Sequence, residues 1–293
     1  KEKIFYGHNP QGTQRVQCRS CKKVWTPKQQ PAREITYPQS IETVQLFMPF
    51  QGASAVQKLY VLVSLDATRG NILHLSTNYT QHQTGDSLRY SYRGNTEPTE
   101  HHSDIVQRVD MREAQFLRRS QFDEIQYGSA VLKRNGKGAI LRPVITAHGH
   151  FRILKIRFPH VKTHIISHEC FLRGAIITDQ FRQQQGELWF VEEEISDRNA
   201  DIPWHFQGTT YHGWWQNQWQ RWGQGNNSKM VCLLTGVSLE RGANVSLATS
   251  RCFITWLTDQ HDFTQSALLS AGRVTKMLTS LALKYNESLT PSC

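Results

Sequence analysis

Two cysteines near the start of the chain, Cys18 and Cys21, have the spacing of metal ligands. A C-x-x-C turn lets two thiolates meet one ion, and tetrahedral zinc takes four soft ligands of this kind. The pair supplies half of such a site, so two further ligands would come from outside this segment. A redox role is disfavoured, since the pattern shows no strand leading into the pair and no helix starting after it. The sequence predicts structural zinc at Cys18 and Cys21; an incidental C-x-x-C is the alternative.

Basic residues are concentrated around this cysteine pair. The chain holds 34 Lys and Arg against 24 Asp and Glu, a formal net charge of +10. The first 33 residues contain a single acid, Glu2, among many cations. Cations placed on phosphates release condensed counterions, so DNA is the partner that this distribution favours over an ordinary basic surface. The residues predicted to contact DNA are Arg15, Arg19, Lys22 and Lys23.

Five histidines between residues 148 and 168 form a second group with possible metal chemistry. They are His148, His150, His160, His164 and His168. Their spacing does not exclude a metal site, but hydrogen-bonded packing is the favoured interpretation. No phosphate-cradling glycine loop and no serine-nucleophile motif is found.

Composition places the protein among globular chains of the cytoplasm. Its 293 residues are 38% hydrophobic and 10% aromatic, which is enough for a sizeable core. No apolar run reaches the roughly 18 residues of a membrane span. The other four of the six cysteines are scattered, which is typical of free thiols in a reduced compartment.

The pattern predicts three successive parts of the chain: a cysteine-bearing module over 1–27, a Pro-containing linker over 28–40, and a large domain over 41–293. The large domain begins with three strands, for which the apolar runs and intervening turns predict an antiparallel meander. These strands are expected at 42–50, 58–66 and 71–80.

The elements that follow predict an α/β fold. A helix is expected at 104–125, then a strand at 139–147, a short helix at 150–159 and a strand at 161–167. This is the ribonuclease-H-like order, with a mixed sheet. A further strand begins at 187, and a helix over 266–289 closes the domain. The tryptophan-rich stretch 204–227 is expected to be helical, with Trp215, Trp219 and Trp222 packed against the core; stacking on unpaired bases is its alternative role.

Residues 6–28, YGHNPQGTQRVQCRSCKKVWTPK, resemble the second half of the zinc ribbon of bacterial insertion-sequence transposases. In that family a first C-x-x-C precedes a hairpin that ends in a Gly-x-Gln-Arg phrase, and a second C-x-x-C closes the site. Gly12, Gln14, Arg15 and Trp25 fit this phrase together with the cysteines. The missing first pair would lie just before Lys1. The resemblance continues over about 150 residues of the large domain.

Transposases of this type hold divalent ions with three carboxylates: on the first strand, directly after the fourth strand, and at the start of a later helix. The resemblance puts these positions at Leu46 to Met48, at Ala147 or His148, and near His212, where TTYHGWWQNQWQRW resembles the helix that carries the Glu. None of these residues is acidic. Hard divalent cations need anionic oxygen ligands, so the resemblance implies a protein that no longer cuts DNA.

A different placement of the strands leaves an alternative metal site open, built from Asp66, Asp179 and Glu192 to Glu194. Otherwise Asp66 matches the non-catalytic Asp of a strand turn.

The resulting hypothesis is a non-catalytic, transposase-derived DNA-binding protein that regulates transcription or a mobile element. It would carry structural zinc, and its body would serve self-association or a protein partner. The alternatives are an active metal-dependent DDE-type transposase and a protein-interaction scaffold without DNA binding.

Overall fold

The computed structural model divides into two compact units, Lys1–Thr36 and Tyr37–Cys293, and their boundary falls inside the segment predicted as a linker. The structure describes residues 3–8, 14–25, 37–52, 55–81, 104–123, 131–135, 138–177, 186–196, 202–213, 216–236 and 240–289.

The small unit is an antiparallel three-stranded sheet of β1 (Lys3–His8), β2 (Gln14–Cys18) and β3 (Val24–Trp25), with β2 in the centre. Ile4 pairs with Gln17 and Val16 pairs with Trp25. Val16 and Cys18 are buried, and residues 19–23 form the exposed turn between β2 and β3.

The large unit contains the predicted meander. Its strands are β4 (Ser40–Gln51), β5 (Val56–Asp66) and β6 (Ile72–Thr77), and they pair antiparallel in sequence order. A small second sheet holds β7 (Tyr79–Thr80), β8 (Val131–Asn135) and β9 (Gly138–Leu141). The predicted helix after the meander is α1 (Ile105–Asp123).

The predicted strand at 139–147 is wrong beyond Leu141, because α2 spans Pro143–Arg157. Pro143 suits the first helical position, where its missing N–H is not needed. A short apolar run fits a buried helix as well as a buried strand, so periodicity alone did not decide between them. The strand beside β4 is β10 (Thr163–Ser167), which pairs parallel with it.

After β10 the chain forms α3 (Cys170–Ile176) and β11 (Glu187–Glu194), which runs parallel to β10. Three further strands extend the sheet antiparallel from β11: β14 (Asn227–Thr235), β13 (Asn217–Gln224) and β12 (His205–His212). The eight strands lie in the order β12-β13-β14-β11-β10-β4-β5-β6. The mixed α/β sheet expected from the sequence is confirmed.

The tryptophan-rich stretch is a β-hairpin and not the predicted helix. Side chains three apart share the face of a helix but lie on opposite faces of a strand. Trp219 packs into the core on one face of the sheet, and Trp222 packs against the core on the other. Trp215 lies outside the described residues.

The other α-helices of the described residues are α4 (Ala248–Thr258), α5 (His261–Thr264) and α6 (Ala271–Leu289), the last within the predicted closing helix. Residues from α4 and α6 form the core on one face of the sheet, and residues from α1, α2 and α3 form the core on the other. The large unit is therefore a three-layer α/β/α arrangement. Among the described helices, none combines the length and the apolar character needed to cross a bilayer.

Candidate functional site

The cysteine pair lies in a tight turn at the end of β2, which we call the knuckle (residues 18–23). The backbone N–H of Cys18 donates to the carbonyl of Lys23 at 3.0 Å, and the N–H of Lys22 donates to the carbonyl of Cys18 at 2.9 Å. Lys22 has a φ of 58°, in the left-handed region. The turn is thus closed by its own backbone.

Backbone hydrogen bonds favour the thiolate form of Cys18. The backbone N–H groups of Cys21 and Ser20 point at it, and these hydrogen bonds lower the pKa of Cys18. The thiolate is the form that binds metals, and N–H donors stabilise its charge. Cys18 is buried and Cys21 is exposed. The two residues fit half of a tetrahedral zinc site; the described part of the chain shows no group of three or more metal-ligating side chains.

The four residues predicted to contact DNA all belong to β2 or the knuckle. Arg15 is half-buried, with its guanidinium carbon 6.0 Å from the centre of the Tyr6 ring, whereas the other three are exposed. One prediction about this segment is wrong: β2 does lead into the C-x-x-C. No helix begins in residues 22–25, so the redox arrangement of a strand followed by a helix is still not formed there.

The large unit has a cleft where β10 ends. β10 stops at Ser167, while its neighbours β4 and β11 continue to Gln51 and Glu194. The last paired residue on the β4 side of β10 is Ile166, opposite Thr43. Beyond that level the two longer strands have no strand between them. Ligands of α/β proteins bind outside the carboxyl ends of parallel strands, which is the position of this cleft.

The cleft is a partly open cavity of about 360 Å³ bounded by three strands, α1, α4 and the segment before α4. Its lining residues are Val44, Gln45, Arg112, Ser167, His168, Val191, Glu192, Glu193, Ile195, Leu247, Ser250, Arg251, Ile254 and Thr255.

The acids and the cations of the cleft are paired with one another. Glu192 forms ion pairs with two guanidinium groups: its carboxylate oxygens lie 3.1 Å from Nε of Arg112 and 3.7 Å from Nε of Arg108. Glu193 accepts from the guanidinium of Arg251 and from the backbone N–H of Leu247. A divalent ion bound by either carboxylate would have to compete with these guanidinium groups.

The imidazole of His168, directly after β10, is fixed by contacts with side chains outside the cleft. Its Nε2 lies 2.9 Å from a carboxylate oxygen of Glu113, and its ring packs against Phe190 and Trp219. Glu113 also lies 3.5 Å from the guanidinium of Arg173. Burial lowers the pKa of Arg173, while the charge of Glu113 opposes that shift. The carboxylate therefore orients the imidazole from outside the cleft.

A buried acid anchors α4 at the cleft. Glu42 on β4 accepts from the backbone N–H and the hydroxyl of Ser250 at 2.9 and 2.8 Å. Burial raises the pKa of Glu42, and these hydrogen bonds act against that shift. The positive end of a helix favours a carboxylate at this position. The contact fixes Ser250 and Arg251 at the rim.

The three positions proposed for lost catalytic acids lie on three different elements, β4, α2 and β12. Leu46 to Met48 lie on β4, as predicted, but Ala147 and His148 lie in α2. His212 ends β12 and pairs through Nδ1 with Asp110 of α1 at 2.5 Å. The predicted fourth-strand position is wrong because β10, and not residues 139–147, is the strand beside β4.

The alternative acid set is not assembled in the described residues. Asp66 pairs with Ile41 at the beginning of β4, whereas Glu192 lies beyond the level at which β10 ends. The carboxylate of Asp66 accepts from the backbone N–H groups of Thr68 and Arg69, so it stabilises the turn after β5. Asp179 lies outside the described residues.

The histidines predicted as a cluster separate into different environments. His150 lies between the hydroxyls of Ser64 and Ser76, at 2.7 and 2.8 Å, and stacks on His74. His164 is buried on β10. Burial lowers the pKa of His74 to about 4, that of His164 to about 4, and that of His150 well below its usual range. These three imidazoles are neutral packing residues.

Sequence reasoning missed most of the cleft. His168 and Glu192 were noted for their residue types, but nothing in the pattern pointed to Gln45, Ser167 or Arg251, because each is ordinary in its own segment. No known protein family matches the chain, and no curated protein matches it.

Proposed function

We propose that this chain is a DNA-binding protein whose knuckle, completed by zinc, contacts the phosphate backbone. The observation that carries the proposal is a thiolate-stabilising turn surrounded by cations. The N–H groups of Ser20 and Cys21 favour the metal-binding form of Cys18, and Arg19, Lys22 and Lys23 are exposed in the same six residues. Metal binding would order these cations, and ordered cations bind phosphates with less loss of side-chain entropy.

We also propose that the large unit follows a ribonuclease-H-like plan without the catalytic acids. The support is the order β6-β5-β4-β10-β11, with the first three strands antiparallel and the last two parallel to β4. On this plan the acid of the fourth strand would stand at His168 and that of the first strand near Gln45. The later helix would be α4, with Ser250 and Arg251 at the cleft. None of these residues is a carboxylate.

The test is a titration of DNA affinity against salt, using zinc-loaded protein and a fluorescent 30-base-pair duplex. One variant replaces with alanine the four residues Arg15, Arg19, Lys22 and Lys23. A matched control replaces four exposed cations of α2 and α6: Arg152, Arg157, Arg273 and Lys276.

Each lost phosphate contact should reduce the slope of log K against log salt by about one, so the knuckle variant should lose about four. The control should keep the parent slope. Chelation of zinc, or Cys18→Ser, should weaken binding of the parent. An unchanged slope in the knuckle variant would refute the proposed interface, and nicking of supercoiled plasmid with magnesium that depends on Glu192 would refute a non-catalytic body.

A further inference from the structure

We propose that the exposed side of α2 binds an acidic amphipathic helix of another protein. One side of α2 packs into the core against the sheet. The opposite side carries Ile145, Gly149, Arg152, Ile153 and Ile156, and we call it the outer face. It belongs to the large unit and depends neither on zinc nor on the cations of the knuckle.

Apolar side chains are exposed along the outer face. Ile145, Ile153 and Ile156 are 42%, 37% and 74% exposed. They are eight and three residues apart, so helical geometry places them on one side of α2. Phe151 and Leu154 are buried on the opposite side. Single exposed aliphatic side chains are ordinary, but a row of them on one helix is typical of an interaction surface.

A gap at the centre of the outer face suits the side chain of another helix. Gly149 lies four residues from both Ile145 and Ile153, so a position without a side chain interrupts the row of isoleucines. A Cβ atom at position 149 would meet nothing within 4 Å outside the adjoining backbone of α2, so the gap is open. Helices pack when the ridges of side chains on one enter the grooves of the other. The gap therefore gives a partner helix a place to insert a side chain.

The charge around the outer face specifies an acidic partner. Three cations, Arg152, Lys155 and Arg157, lie in the second half of α2. Arg152 and Arg157 are exposed, and Lys155 is half-buried. From residue 125 to residue 168 the sequence contains no Asp or Glu, so this segment is purely basic. Carboxylates beside the apolar side chains of a partner helix would lie opposite these cations, and such complementary charge gives specificity.

The same features disfavour other occupants of the outer face. A second copy of α2 would place like charges opposite one another, which costs free energy. A DNA backbone would use the cations but would leave Ile156, which is largely exposed, without an apolar partner. An anionic bilayer would offer both kinds of contact, but it has no side chain to fill the gap at Gly149.

The experiment measures the fluorescence anisotropy of labelled helical peptides of about five turns, titrated with the full chain. All the peptides carry Leu on one face, and the residues beside that face are Glu, Gln or Lys. The Glu peptide should bind about tenfold more tightly than the Gln peptide, as expected for a few exposed ion pairs, and the Lys peptide should bind most weakly. Equal affinity for the Glu and Lys peptides, or no binding of any peptide, would overturn the proposal.

Ile156→Gln tests the outer face itself. Its side chain is largely exposed, so the variant should fold, and its affinity for the Glu peptide should fall about tenfold because an aliphatic contact is lost. Leu283→Gln makes a similar change at an exposed position of α6 and should leave the affinity unchanged. Unchanged affinity in Ile156→Gln would show that the peptide binds elsewhere on the chain and would contradict the assignment.

Gly149→Leu distinguishes a helix from the other occupants. The added side chain has space in the free protein but fills the gap, so it should weaken binding of the Glu peptide about tenfold. Equal or tighter binding would contradict the packing of a helix into the gap. The other probes are vesicles of phosphatidylcholine with phosphatidylserine, and a DNA duplex. Vesicle affinity that depends on Ile156, or duplex affinity that depends on Arg152 and Arg157, would replace the helix by a bilayer or by DNA and would overturn the proposal.

Discussion

The knuckle and the cleft are built from contacts of very different range along the chain. In the knuckle, Cys18 accepts hydrogen bonds from Ser20 and Cys21, two and three residues later. In the cleft, the paired groups are far apart in sequence: 55 residues for Glu113 and His168, and 208 for Glu42 and Ser250. The interactions of a local turn are formed by residues that are adjacent in the sequence. The interactions of the cleft form only after the strands have paired.

Breaking one long-range pair should therefore destabilise the whole large unit. Glu113→Gln removes the charge that faces Arg173 and His168 in a buried position, where Glu113 is 1% exposed. Loss of one member of a buried ion pair costs about 3–5 kcal/mol. Urea unfolding of the variant should show a decrease of that size in the free energy of unfolding.

Asp110→Asn is the matched control, because Asp110 is also an acid on α1 that pairs with a histidine, but its side chain is 59% exposed. We expect a change of less than about 1 kcal/mol. Equal losses in the two variants would show that burial does not distinguish the two pairs.

The buried histidines should make the large unit sensitive to acid. Their pKa values are lower in the folded protein than in the unfolded chain, so the unfolded chain binds more protons between pH 6.5 and about 4. The contribution of these histidines to the free energy of unfolding is therefore fully present above pH 6.5 and is lost as the pH falls towards 4. For His164 the lowered pKa corresponds to roughly 3 kcal/mol.

His164→Leu should remove the part of the decrease in the free energy of unfolding that is due to His164, as measured by urea titrations between pH 7 and 4.5. His160→Leu, at an exposed turn, should keep the pH dependence of the parent. The carboxylates contribute equally to the pH dependence of both variants, so the difference between the variants removes their contribution. This includes Glu42, whose raised pKa makes stability increase as the pH falls. Parallel pH curves for both variants would contradict the role given to His164.

The smallest effect is expected in the knuckle, where one residue carries backbone strain. Lys22 has a φ of 58°, a conformation that costs a non-glycine residue about 1 kcal/mol and costs glycine little. Lys22→Gly should slow amide exchange at Cys18, whose N–H closes the turn, by about two- to fivefold. Lys23→Gly removes the same charge at a residue without positive φ, so it should not slow amide exchange at Cys18. Equal exchange rates in the two variants would show that the lost charge, and not the relief of strain, slows the exchange.

Elements with a strong local pattern were predicted correctly from the sequence. The meander of β4, β5 and β6 followed from apolar runs separated by turns, and α1 and the closing helix α6 followed from helical spacing. Two elements were assigned to the wrong class. The strand assigned up to residue 147 contains the first five residues of α2, and the helix assigned to 204–227 is a hairpin. Tertiary packing decided between two structures that each run could adopt.

By itself, the sequence determined the α/β class, the basic character of the N-terminal unit and the placement of Cys18 and Cys21 in a turn. These properties depend on residue type and on spacing over a few positions. The tertiary structure alone decided that β10 ends beside Val44 and Val191, and that Gln45, Ser167 and Arg251 line one cavity. The physical reason is that the residues of a strand do not show whether the neighbouring strands of the sheet extend beyond its end. The cleft is a property of strand register, which only the assembled sheet defines.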